Sequence, residues 1–259
     1  MNAVHAPETC GPGDDSWADP RTREQLYAFL GAAYLRPLTQ DALHRLMDAS
    51  VLDELAAVFG EEAIAALRGF AAGRSIDCEH LRQEFMDLFA VPSGLQVTPF
   101  EDVYRGASAG QRLGPLLGEH AVAVKRLYRA AGGEVGESCT ELPTHVGVEL
   151  SFMSFLCARE AAVCGMSEGA SAAEPPAGSD ASFYRTLQIR FLREHLNAWF
   201  PRLRRAIRER ASSDLYRGLA DLTQVVLERD ADVMLFAPPT ESRQPHSTEP
   251  CQHHGKWDS

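Results

Sequence analysis

Apolar residues in this chain recur at intervals of three and four from one end to the other, and the alternating pattern of a half-buried strand is nearly absent. Such spacing paints a stripe along one face of a helix, and a chain of striped helices buries them only by packing helix on helix. The expected fold is therefore all-α, a single-domain bundle of roughly nine to ten helices over residues 19–236.

Caps and breakers divide the stripes. Asp19-Pro20 supplies a cap and then a proline at the first helical position, and Leu26, Phe29, Leu30 and Ala33 keep helical spacing until Pro37. Thr39 caps a helix striped by Leu43, Leu46 and Met47, and Leu52, Leu55 and Phe59 carry the pattern to Gly60. Ile64, Leu67 and Phe70 form a short helix ending at Gly73. Asp77 to Phe89 is a stronger one, with Leu81, Phe85, Leu88 and Phe89 on one face, and the loop AVPSGLQVTPFEDVYRG follows it. Pro115 is expected to open a helix running to Ala131, closed by Gly132-Gly133. Pro143 is expected to open the next, which holds Val146, Leu150, Met153 and Leu156 and runs out near Cys164. Helices resume at Phe183 with Leu187, Phe191, Leu192 and His195. Trp199-Phe200-Pro201 reads as a corner from which Pro201 starts a new helix, with Trp199 as its packing anchor. The last helix carries Leu215, Leu219, Leu222 and Val226 and fades near Phe236. Residues 165–181 are small, polar and rich in Pro and Gly, a composition expected to form a flexible linker. The ends, 1–18 and 237–259, are expected to be disordered tails.

Composition narrows the function. The chain has 36 acidic residues against 25 basic ones, a net charge of −11, which argues against a nucleic-acid partner and suits a basic peptide. No stretch approaches the ~20 apolar residues of a membrane span. The amino terminus lacks the basic start and apolar run of a signal peptide, so a cytoplasmic location is expected. The six cysteines form no CxxC pair and read as free thiols.

Chemical motifs are sparse. There is no phosphate-binding glycine loop, no GxSxG elbow and no HExxH. His145 and Glu149, at i and i+4, share a helix face, as a ligand-contacting pair or as a local hydrogen bond. Cys251, His253 and His254 offer soft-metal ligands without preformed geometry. The loop residues Pro99, Phe100, Val103 and Tyr104, with Glu101 and Asp102 among them, form either an acid-rimmed apolar groove or a loop packing its own aromatics.

Three signatures stand in order along the chain. Phe85-Met86-Asp87-Leu88-Phe89 ends a helix and is followed, after a loop, by Pro99-Phe100-Glu101-Asp102-Val103-Tyr104. Next come Glu141-Leu142-Pro143-Thr144-His145 and Glu149-Leu150-Ser151-Phe152-Met153. The third is Phe191-Leu192-Arg193-Glu194-His195-Leu196-Asn197-Ala198-Trp199-Phe200-Pro201. Together, over approximately residues 20–236, they resemble the TorD/DmsD/NarJ family of molybdoenzyme-specific assembly chaperones. The resemblance implies an all-helical chaperone that is not an enzyme, and no residues of the sequence are assigned to a cofactor or metal of its own. Its implied partner is the apo catalytic subunit of a molybdopterin-guanine-dinucleotide enzyme, with that subunit's twin-arginine signal peptide as a further target. Binding would assist cofactor insertion and delay export until assembly is complete. The implied client surface joins the apolar Phe85, Leu88, Phe89, Pro99, Phe100 and Tyr104 to a polar rim of Glu101, Glu141, Thr144, His145 and Glu149, with Phe85 and Leu88 the members most expected to serve the core. The family usually has Asp before the signature His; Thr144 here removes a charge that a client arginine would meet. A permanently bound accessory subunit, or an enzyme with a metal site in the tail, are the rival readings.

Overall fold

Helix boundaries in this chain are set by caps. In the computed structural model, which describes residues 17–73, 77–91, 95–106, 114–133, 140–165 and 179–236, ten helices have described bounds. The Asp19 side chain accepts from Arg21 N at 2.9 Å to start α1 (Pro20–Leu35). Thr39 accepts from Ala42 N to start α2 (Gln40–Leu46), and Asp48 caps α3 (Ala49–Phe59). Gly60, at φ 88°, takes the left-handed turn that separates α3 from α4 (Glu61–Ala71). Asp77 caps α5 (Cys78–Phe85), which runs on into a π turn, Met86–Ala90. Then follow α6 (Glu101–Arg105), α7 (Glu119–Ala130) and α8 (Val146–Val163). α9 consists of Ala181–Phe191, a second π turn at Leu192–Leu196, and Asn197–Arg210 without interruption; α10 is Asp214–Phe236. Among the described residues there is no strand, only an isolated antiparallel bridge between Phe100 and His145. The all-α expectation holds. Residues 1–16, the linker residues 166–178 and the tail 237–259 with its Cys251 tract lie outside the described residues. The expected N-terminal tail ends two residues early: Trp17 and Ala18 are helical, and Trp17 is buried with its ring edge-on to Phe59.

Three expected boundaries move. α7 begins at Glu119, not Pro115, because the Asp102 carboxylate of α6 accepts from Ala121 N at 3.3 Å and so fixes the first turn. α8 begins at Val146, not Pro143: His145 Nδ1 is the cap, accepting from Gly147 N at 3.0 Å. Pro201 starts nothing; it lies inside α9 and is exposed, so the bond it removes is on the solvent side of the helix.

One hydrophobic core joins these helices, and α1 lies along α8 at its centre. Their crossing is close because Gly31 and Gly147 face each other: a Cβ on Gly147 would come 2.8 Å from Gly31 O and 2.6 Å from Leu35 Cγ. Beside this crossing sits a buried polar knot. Arg23 donates to Glu160 at 2.8 Å, to Gln188 at 2.7 Å and to Asp230 at 3.3 Å, and Tyr27 donates to Asp230 at 2.7 Å. Every member is buried, and the knot ties α1, α8, α9 and α10 in one register. The core and this knot form the frame against which α6 is placed. Among the described residues, no helix is long and apolar enough to cross a membrane.

Candidate functional site

A helix of five residues does not hold itself together, so α6 must be held by its surroundings. The chain enters it extended. Pro99 O accepts from Val146 N at 2.8 Å, and Glu101 N donates to Thr144 O at 2.9 Å, so the stretch before α6 is clasped to the stretch before α8. Phe100 packs edge-on against the His145 ring, with centroids 5.2 Å apart. First and second signatures meet here.

Side chains complete the anchoring. Glu101, fully buried, accepts from His195 Nδ1 at 2.8 Å and from Arg105. Asp102 accepts from Thr144 Oγ1 at 3.2 Å as well as from Ala121 N. Tyr104 stacks on Trp199 at 5.5 Å, and its carbonyl accepts from Arg202 at 2.6 Å. Arg105 also donates to Glu194 O. Trp199 Nε1 donates to Glu149 Oε2 at 3.0 Å. Glu101 of the first signature and Glu149 of the second thus each face a donor from the third, carried on α9. His195 lies in the π turn; that extra residue shifts the phase of the helix on either side of it, as π turns near functional sites commonly do.

Two of these carboxyls are pushed in opposite directions. Glu149 is fully buried, and its Oε1 has no donor facing it among the described residues. Burial and the nearby Glu101 charge push the Glu149 carboxyl well above the ordinary carboxyl value. Burial acts on Glu101 in the same direction, but the hydrogen bond and charge of His195, with Arg105, outweigh it and hold that carboxyl below its ordinary value. Glu149 is therefore the protonated member and donates to the Glu101 carboxylate, which supplies the bond its Oε1 otherwise lacks. His145 is neutral: burial takes its imidazole down to about 4, and Nδ1 is already an acceptor as the α8 cap.

The expected site residues fall into three groups. Pro99, Phe100, Glu101, Tyr104, Thr144, His145 and Glu149 come together around α6, with Phe100 and Tyr104 half-exposed and the others buried. Phe85, Leu88 and Phe89 are core residues, the rings of Phe85 and Phe89 packed with each other and with Tyr216, and Phe89 also with Tyr34. Glu141 is exposed in the turn before the clasp. Residues not singled out as site members are Asp102, Arg105, His195 and Trp199. The i, i+4 spacing of His195 and Trp199 already put both on one face of α9, and that was the readable signal. Thr144 is explained by its partner: an aspartate there would set a second buried carboxylate against Asp102. Chemically, the polar atoms of the cluster satisfy one another, and their joint effect is to fix α6 and its half-exposed aromatic edge. Among the described residues, no group of three His, Cys, Asp or Glu is arranged to hold a metal.

A family model described as nitrate reductase delta subunit matches residues 52–205, more than half of the chain and a span that contains all three signatures. No curated protein matches the chain.

Proposed function

Because the chain belongs to the nitrate reductase delta subunit family, a family of molybdoenzyme assembly chaperones, we propose that it is a dedicated chaperone for one apo molybdoenzyme catalytic subunit. In this reading residues 19–236 form the chaperone domain and work in the cytoplasm. The protein holds the apo subunit, and its twin-arginine leader where there is one, until the molybdopterin cofactor is inserted, and so delays export.

The observation that carries the reading is the convergence of three separated signatures on one short helix. A five-residue segment held by two buried carboxylates, an imidazole and an indole is far more elaborate than a loop needs in order to close. The reading assigns client contact to the half-exposed Phe100 and Tyr104, seated on Pro99, Thr144 and His145, with Glu101 and Glu149 holding that edge in place and Glu141 on the rim. Phe85, Leu88 and Phe89 serve the core and are not assigned to the contact edge.

Affinity purification of the tagged chain from cells that express its molybdoenzyme, with mass spectrometry of the co-purifying proteins, tests the proposal. A single dominant catalytic subunit lacking its cofactor is expected. Phe100→Ala and Tyr104→Ala should lose that subunit while the chain stays folded and melts only modestly lower, whereas Leu88→Ala should melt lowest and keep its share of binding. If no molybdoenzyme subunit is recovered while the enzyme is being made, the chaperone reading fails.

A further inference from the structure

The net charge of −11 hides a basic helix. Residues 190–210, part of α9, hold seven arginines and no lysine against two glutamates. Glu194 is taken up by Arg190 at 2.9 Å and Arg193 at 3.2 Å, so the surplus collects in the last turns, at Arg202, Arg204, Arg205, Arg208 and Arg210. The apolar face of these turns is already used, since Trp199, Phe200, Leu203 and Ile207 are fully buried. Two features separate the remaining strip from an ordinary solvated face. First, two of its members are held in place. The buried Asp221 of α10 accepts from Arg204 at 2.7 Å and from Arg208. Arg204 binds through Nε and Arg208 through one terminal nitrogen, and a guanidinium offers more donors than these bonds use. Second, there is room for a further acceptor. Pro201, Arg204, Arg205, Arg208 and Glu209 line a cleft of about 420 Å³. Arg204 and Arg208 also line a neighbouring cleft of about 460 Å³ between α4, α9 and α10. Arg205 is exposed and makes no ion pair among the described residues. The acids lining the two clefts are Glu62, Glu209 and Asp221, so the five arginines of these turns keep a surplus of two positive charges.

We propose that the outward face of α9 from Arg202 to Arg210 docks an acidic peptide segment of a protein partner, with Arg204, Arg205 and Arg208 taking its carboxylates in two-point hydrogen bonds. The planar fork of arginine matches a carboxylate, and a strip built without lysine fits that use. Other polyanions fit less well. No ring lines the cleft at Pro201 for a base to stack on, which argues against a nucleotide or a single-stranded nucleic acid. No large apolar side chain projects from the strip into a lipid surface, because the apolar face of these turns lies in the core. A short segment responds to charge within about 8–10 Å, so it meets the strip rather than the −11 of the whole chain. Arg202 joins the strip to α6 by donating to Tyr104 O at 2.6 Å, and an acidic segment bound here lies beside whatever the α6 edge holds.

The test uses the full chain and a fluorescein-labelled peptide of glutamates alternating with glycine and serine. The same peptide with glutamine for every glutamate is the control. Fluorescence anisotropy should show the glutamate peptide binding at least about tenfold more tightly than the glutamine peptide. Arg205→Glu changes an exposed side chain, so it should weaken the glutamate peptide at least about tenfold and leave the melting temperature unchanged. Arg21→Glu, the same charge change at an exposed arginine of α1, should stay within about twofold of wild type. Equal binding of the two peptides, no binding of either, or full binding by Arg205→Glu overturns the proposal. An equal loss on Arg21→Glu also overturns it, because the attraction would then be one of overall charge. A single-stranded oligonucleotide or a vesicle of anionic lipid that binds more tightly than the peptide, and is lost on Arg205→Glu, would give the strip to that polyanion and sink the proposal. So would a wild-type dimer in sedimentation that Arg205→Glu dissolves, which would seat the acidic surface of a second copy there. No molybdoenzyme enters these measurements, so they decide the strip whether the chaperone reading holds or fails.

Discussion

Glu101→Gln and Glu149→Gln, though chemically the same change on neighbouring carboxyls, should differ sharply in effect. Glu101 is the ionised member, fully buried and accepting from His195 at 2.8 Å and from Arg105. Each hydrogen bond to a charged group is worth ~1.5–3 kcal/mol. Arg105 is 28% exposed and partly compensated by water, so its share is discounted. The loss comes to about 3 kcal/mol, and at ~2–4 °C per kcal/mol for a chain of this size the melting temperature falls by roughly 6–12 °C. Glu149 is the protonated member, and glutamine reproduces its shape, a donor toward Glu101 and an acceptor for Trp199. Its cost at neutral pH should stay within about 1 kcal/mol. The pH profiles separate the two further. The folded-state value of Glu149 lies above its unfolded value, so the folded protein holds a proton that unfolding releases. Stability therefore falls as pH climbs from the ordinary carboxyl value of 4.5 toward the raised one. Glu149→Gln removes that slope. Calorimetric melts across this range supply the measurement. A loss on Glu149→Gln as large as that on Glu101→Gln, at every pH, would mean that Glu149 is ionised in the folded protein.

Other perturbations address other parts of the structure. The His145 imidazole is at about 4 when folded and 6.5 when free, so the unfolded chain takes up a proton first, and stability drops as pH falls from 6.5 to about 4, by about 3 kcal/mol in full; His145→Asn, which keeps a capping acceptor, should flatten that stretch of the melting profile. Thr144→Asp should cost about 3 kcal/mol at neutral pH by setting a second buried carboxylate against Asp102, and less in acid, where one of the pair is protonated; an unchanged melting temperature at neutral pH would contradict the geometry. Gly147→Ala should cost about 3 kcal/mol in denaturant titration, because its Cβ meets Gly31 O and Leu35 across the α1–α8 crossing.

How legible these features were depends on how local their causes are. Helices α1, α4 and α5 could be read to within a few residues because their stripes and breakers lie in the same stretch of chain, whereas α2 and α3 read as one continued stripe from Thr39 to Gly60 and the cap at Asp48 that divides them was missed. The starts of α7 and α10 were not readable, since their caps come from elsewhere: Asp102 reaches Ala121 N, and Glu84 accepts from Ser212 N at 2.6 Å and Ser213 N at 2.8 Å. Neither π turn has a local sequence signal. The set of site residues was legible as a resemblance, but its internal roles were not. Phe85, Leu88 and Phe89 belong to a signature and also to a helix stripe, and only the three-dimensional arrangement shows that the stripe accounts for them. Thr144 read as a lost charge, because its partner Asp102 is 42 residues away. Trp199 read as an anchor and is one, but its indole N–H also fixes Glu149.

The central claim is that the chain holds a catalytic subunit before its cofactor is in place and lets go afterwards. Equilibrium binding of the full chain to the same molybdoenzyme subunit, once without and once with its molybdopterin cofactor, measures this directly. The account predicts at least about tenfold tighter binding to the apo form, lost on Phe100→Ala and Tyr104→Ala. Equal affinity for both forms, with the chain still attached to the finished enzyme, would contradict it and make the protein a resident subunit.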